Sequence, residues 1–138
     1  MTEVEKAYAA GFFDGEGCVL IDLPRRTKGY ALRVTLAQGS KTVLLRLQAA
    51  WGGSLSGKEG RWCLSLVRTT AGAFLSDIFP YLVVKREQAA IAIEFQGCNC
   101  AGQRTTTDWI SIGDGYRKRL FQNRKAPPSY LRREPGRL

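Results

Sequence analysis

The sequence predicts an α+β fold: an antiparallel four-stranded sheet with helices gathered on one of its faces. Three observations carry this. Helix-period and strand-period segments alternate in the order α-β-β-α-β-β-α-α, which uses one αββ unit twice. The strand segments come in pairs joined by short polar turns, so neighbours run antiparallel. Within each strand, apolar residues alternate with polar or basic ones, as a sheet with one covered face requires.

The elements follow in order. Thr2 and Glu5 form a capping box that opens a helix running to about Phe13, with Gly15 and Gly17 ending it. Residues 18–23 and 30–37 read as strands around a turn containing Pro24, Arg25, Arg26, Lys28 and Gly29. Val19, Ile21 and Leu23 share the covered face with Tyr30, Leu32, Val34 and Leu36. Ser40 caps a helix through Trp51, and Gly52-Gly53 stops it. A second hairpin pairs Ser54–Ser56 with Arg61–Val67 around a turn at Gly57–Gly60, with Trp62, Leu64 and Leu66 on the covered face. Thr69 or Thr70 caps a helix to Phe79, Pro80 breaks it, and a fourth helix spans Val84 to Phe95. Residues 97–105 read as a loop. Residues 106–123 have helical character that Gly113 and Gly115 interrupt, and the last residues, with their prolines and arginines, read as extended or disordered.

A chain of 138 residues is one domain by size and long enough to bury a core. Its 21 basic and 12 acidic residues leave a net charge of +9, the field of a protein with a polyanionic partner, nucleic acid ahead of an anionic membrane. Residues 103–138 hold nine of the basic residues and three of the acids, so they read as a basic extension (97–138) on a more neutral body (1–96). Cys98 and Cys100 have no second pair and no histidine to complete a zinc site, so the cysteines are expected as free thiols in a reducing, intracellular setting. No apolar run nears 18 residues and the N-terminus lacks a signal-peptide pattern, so no membrane association is expected.

The absence of histidine excludes Ser-His-Asp and Cys-His nucleophiles and any histidine general base. Asp/Glu-x-Lys tripeptides and phosphate-binding loops are also missing. Chemistry on a phosphodiester is left to carboxylate, divalent metal and lysine. Asp14 and Glu16 fit that chemistry because of where they lie. A helix C-terminus carries partial negative charge, so an acid there costs roughly 0.3–1 kcal/mol unless a cation joins it. Glu16 beside the Gly15 carbonyl would make half of a magnesium site. The plainer alternative makes both acids turn residues. Ala7, Ala10 and Gly11 form a strip of small side chains, suited either to a second copy of the helix or to the protein's own core.

The stretch Ala9-Ala10-Gly11-Phe12-Phe13-Asp14-Gly15-Glu16-Gly17 resembles the LAGLIDADG motif place for place. Residues 35–55 and 78–88 resemble that family's strand-Gln-helix-Gly segment and its proline-break and lysine segment, so the similarity covers roughly residues 4–96. The chain is thereby identified with the single-motif LAGLIDADG homing endonucleases, which implies an αββαββα fold with a saddle-shaped sheet. It implies a homodimer that makes a staggered break in double-stranded DNA at a long pseudo-palindromic site. Glu16 becomes the metal-binding acid, with Gly15 giving its carbonyl to Mg²⁺ or Mn²⁺. Gln38 and Lys85 become its catalytic partners, and Asp14 a structural cap where the two motif helices pair. Leu20, Asp22, Arg26, Arg33, Thr35, Ser56, Lys58, Arg61, Cys63 and Ser65 become the DNA-facing set by alternation. Two other readings stay open: a maturase acting on intron RNA, and a DNA-binding regulator that does not cut.

Overall fold

The computed structural model describes residues 1–23, 29–100 and 106–125. Helix α1 (Glu3–Glu16) leads into strand β1 (Gly17–Asp22), and β2 (Ala31–Gln38) returns beside it. Helix α2 (Lys41–Trp51), strands β3 (Ser54–Lys58) and β4 (Arg61–Val67), and helix α3 (Arg68–Ile78) repeat the pattern. A 3₁₀ turn at Phe79–Tyr81 precedes α4 (Arg86–Cys100) and α5 (Thr106–Lys125). The sheet is antiparallel throughout, in the order β1-β2-β4-β3.

The register fixes both faces. Val19 pairs with Val34 and Ile21 with Leu32, while Leu36 pairs with Leu64 and Val34 with Leu66. All of these side chains are buried, packed against Leu44, Leu47, Phe74, Leu75, Ile78 and Phe95 of the helices. Phe74 stands at the centre, with edge-to-face contacts to Phe13 at 5.7 Å and Trp51 at 5.0 Å. Leu23 lies beyond the end of β1 and is exposed, so it leaves the covered face that alternation gave it.

Both expected N-caps of the first half are present. Thr2 and Glu5 exchange hydrogen bonds at α1, and the Ser40 side chain accepts from the Thr42 amide at α2. Elsewhere, long-range contacts override the local signals. Helix α1 runs three residues past Phe13, through Gly15, because its final carbonyls find a donor from a distant part of the chain. Helix α3 uses neither Thr69 nor Thr70 as its cap. Strand β4 passes directly into it, Val67 being the N-cap without a side-chain bond and Arg68 turning the corner at φ 51. Gly57 belongs to β3 rather than to the turn, at φ 121, where a Cβ would lie 2.2 Å from the Arg61 carbonyl oxygen.

Helix α4 begins two residues later than expected and continues through the stretch 97–100 that read as loop. Helix α5 is unbroken at its glycines. Gly113 serves close packing: a Cβ there would meet the Tyr30 ring at 2.1 Å, and the Tyr30 hydroxyl donates to Asp114 Oδ1 at 2.5 Å. Leu120 enters the main core, and Tyr116 packs on Phe95 with ring centroids 5.5 Å apart. A clasp joins α4 to α5, in which Tyr116 and Arg119 both donate to Glu94 and Asn123 donates to Glu87. Among the described residues no helix is long and apolar enough to cross a membrane.

Candidate nucleic-acid interface and catalytic centre

Glu16 is the last residue of α1, and the chain turns at Gly17 straight into β1. That corner is tight. The Gly17 amide donates to the Phe13 carbonyl, and a Cβ at Gly17 would strike the Phe13 ring at 2.1 Å. Glycine is therefore required by packing, and the packing sets the direction in which Glu16 leaves the helix.

The acids of this end have opposite environments. Asp14 is fully engaged: Oδ2 accepts from the Val83 amide at 2.9 Å, and Oδ1 from the Lys85 amide at 2.8 Å. Those amides lie at the head of α4, where unpaired N–H groups and the positive dipole end favour an anion. Lys85 returns the arrangement. Its ammonium donates to the Phe13 and Asp14 carbonyls at the foot of α1, so each helix caps the other. Partial burial pushes the Lys85 amine below its ordinary value, against the opposing pull of the Asp14, Cys18 and Glu16 charges. Glu16 is exposed, and no hydrogen bond or ion pair reaches its carboxylate from the described residues.

Gln38 ends β2. The register that pairs Gly17 with Leu36 sets Gln38 two residues further on, at the same end of the sheet as Glu16. Its Oε1 accepts from the Gly39 amide at 2.7 Å. Glu16, Gln38 and Lys85 thus gather at one end of the fold, although they come from α1, β2 and the head of α4.

A hard divalent cation takes oxygen ligands, and the groups here suit one in part. The Glu16 carboxylate and the adjoining Gly15 carbonyl are oxygen donors, whereas both Asp14 oxygens are committed to amides. Among the described residues no cluster of three or more Asp, Glu, His or Cys side chains is placed to hold a metal. Among the described residues, one chain offers such an ion at this helix end one available carboxylate, that of Glu16.

The strip on α1 divides. Ala10 turns inward and is completely buried with Ala9 and Phe13, so it is core and leaves the strip expected for a second helix. Ala7, Gly11 and Gly15 face outward, with open space around a Cβ built at either glycine. Val4 and Tyr8 flank them, 79% and 56% exposed. The outward strip therefore has i, i+4 spacing and carries apolar side chains in water.

The outer sheet face holds nine of the ten residues expected there, while Arg26 lies outside the described residues. Leu20 pairs with Arg33, Ser65 with Thr35, Ser56 with Cys63, and Lys58 with Arg61. Arg33 is held by Asp22, Nη2 to Oδ2 3.5 Å, while Asp22 Oδ1 is shut from solvent without a partner. Arg124 was not anticipated as part of this region. It reaches from the end of α5 to the Val19 carbonyl and to Cys18 Sγ, two residues from Glu16. The signal was present in the sequence: Gly113, Tyr116 and Leu120 mark an inward helical stripe that ties this segment to the body.

No protein-family model and no curated protein sequence matches the chain. Solved structures do match it. I-CvuI, bound to the I-CreI target with Mg present and the DNA uncleaved, aligns at TM-score 0.74 and 20% identity, over 90% of this chain and 84% of that one. The archaeal intron-encoded homing endonuclease I-Vdi141I, complexed with DNA, aligns at 0.58 and 18% identity, over 83% and 97%. The LAGLIDADG homing endonuclease I-GzeII, in complex with its DNA target, aligns at 0.60 and 14% identity, over 88% of this chain but 44% of that one. At such identities the likeness is one of backbone, and it agrees with the α+β architecture, strand order and motif helix described above. The chain has the fold of the LAGLIDADG homing endonucleases.

Proposed function

We propose that the chain is a site-specific DNA endonuclease that works as a homodimer and leaves a staggered double-strand break at a pseudo-palindromic site. The observation that carries this reading is Glu16: an exposed carboxylate, without a partner among the described residues, on a helix end that the Asp14–Lys85 exchange holds in place. A protein that only binds DNA gains nothing from an acid beside phosphate, where it repels.

In this reading the outward strip of Ala7, Gly11 and Gly15 packs on its symmetry mate, bringing two copies of Glu16 together. Glu16 and the Gly15 carbonyl would hold Mg²⁺ or Mn²⁺, which would supply Lewis acidity to the cleavage. Gln38 orients water near the scissile phosphate. Lys85 keeps the end of α1 rigid and has one N–H left to offer a phosphoryl oxygen. Arg33 and Arg61 present guanidiniums from the outer sheet face, the geometry that reads guanine in a major groove. Residues 1–96 carry recognition and chemistry, and the extension from 97 onward adds basic surface.

The test is selection of cleaved sequences from a randomised DNA pool with Mg²⁺, for wild type and Glu16→Gln. Cutting by wild type alone, at one two-fold-related sequence, is the expected result. Equal cutting by both proteins would remove Glu16 from the mechanism. Binding of wild type without cutting would replace the endonuclease by a regulator, and preference for structured RNA over DNA would favour a maturase.

A further inference from the structure

Helix α5 lies along β1, and the two enclose an open groove of about 550 Å³. Two acids line it, and both are turned to internal use: Asp22 to Arg33, and Asp114 to the Tyr30 hydroxyl. Three cations line it as well. Among the described residues Lys118 has no partner, and Arg117 has only the Tyr30 ring, whose centroid lies 6.0 Å from its guanidinium carbon. Arg124 uses Nη2 on Val19 and Cys18, which leaves Nη1 and Nε without partners among the described residues. The groove therefore presents unneutralised positive charge along β1, and Arg124 at its end reaches Cys18, two residues from Glu16. A phosphodiester chain has the complementary charge and repeat.

We infer that this groove seats the DNA backbone and that Arg124 clamps the phosphate next to the one at Glu16, so that α5 belongs to the cleavage centre. The inference rests on the DNA reading above and deepens it. Cys18 lies on the outer face beside Arg33 and Thr35, so a guanidinium at its sulfur is already on the side that DNA would approach. The Val19 bond fixes the reach of the side chain, so little rotamer freedom is lost when phosphate arrives.

The experiment pairs Arg124→Met with cleavage-site DNA carrying neutral methylphosphonates at single positions around the cut. A charged contact of this kind is expected to account for about tenfold in cleavage rate. At one position the neutral linkage should slow wild type by about that factor and leave Arg124→Met no slower than it already is. Equal slowing of both proteins at every position overturns the clamp, because a residue that only secured α5 would give independent losses. Affinity against salt concentration is measured in parallel and does not depend on cutting: the slope should fall by about one for each phosphate that the variant no longer neutralises. Lys118→Met, which disturbs no contact of the described residues, carries this arm if Arg124→Met does not fold. Unchanged slopes overturn the groove. Wild type that binds without cutting defeats the endonuclease reading while the slopes still decide the groove, and wild type that binds no DNA overturns both.

Discussion

Asp14 and Lys85 hold each other's helices. The Asp14 carboxylate accepts from the Val83 and Lys85 amides at the head of α4, and the Lys85 ammonium donates to the Phe13 and Asp14 carbonyls at the foot of α1. The acid that local electrostatics disfavours at a helix C-terminus thus sits at a second helix's N-terminus, where the field has the opposite sign. Two helix ends are satisfied by one pair of residues, and Glu16 inherits a fixed position.

Asp14→Ala removes both carboxylate bonds and leaves two amides unsatisfied. At the strength of hydrogen bonds to charged groups, unfolding free energy should fall by about 2–3 kcal/mol, measured by urea denaturation. Asp14→Asn, which preserves shape, should recover less than half of that loss. A change within experimental error for both variants would show that α4 does not need this cap.

Lys85 gives a pH signature. Its amine titrates below the ordinary 10.5 in the folded protein, so between the two values the unfolded chain binds the proton and the native one does not. Stability contributed through Lys85 must therefore rise with pH across that window. Relative to Lys85→Met, wild type should gain urea resistance as pH climbs from neutral towards about 10.5. Parallel pH curves for the two proteins would contradict the burial of this amine.

Gly11→Arg probes the outward strip without touching the fold, since nothing stands within 4 Å of a Cβ at that position. The monomer should lose no stability, because arginine favours a helix interior over glycine by roughly 0.5–1 kcal/mol. If two copies meet through α1, sedimentation should show the dimer lost and cutting lost with it. A variant that stays dimeric would move the interface elsewhere.

Gly113→Ala tests the seat of α5. Alanine favours a helix by about 1 kcal/mol over glycine, so propensity alone predicts a more stable protein. The Tyr30 ring, 2.1 Å from the new carbon, predicts the reverse. The clash should prevail, lowering the thermal midpoint by several degrees, and Tyr30→Ala in the same chain should reverse the sign of the alanine effect.

The parts legible in the sequence are those written in neighbouring residues. Alternation along β1, β2 and β4 places Val19, Val34 and Leu64 inward and Arg33, Thr35 and Ser65 outward, and Ser40 announces α2. Glu16 stands out for a local reason too, being an acid where a helix field opposes it. The remainder depends on distant partners. Whether α1 stops at Phe13 or Glu16 is decided by Lys85, 71 residues beyond Asp14. Gly113 reads as a helix breaker until Tyr30 is known to lie against it. Ala10 and Gly11 look equivalent as small residues, yet one is sealed in the core and the other faces water, a difference fixed by how α1 rolls on the sheet. Arg124 looks like one charge among many in a basic tail, and only the packing of α5 on β1 brings it near Glu16.

The two rims of the sheet are closed by different means. On the β1 side, Arg124 takes the Val19 carbonyl and α5 lies alongside. On the β3 side the strand has five residues, bends at Gly57 with φ 121, and ends in Lys58. Unpaired strand rims invite other strands, and shortness, bends and lysines discourage them. Growth of this protein by strand-to-strand zipping is thereby discouraged at both rims. In the homodimer proposed above, guarded rims would protect the orientation of the two copies as much as the meeting surface on α1 would set it.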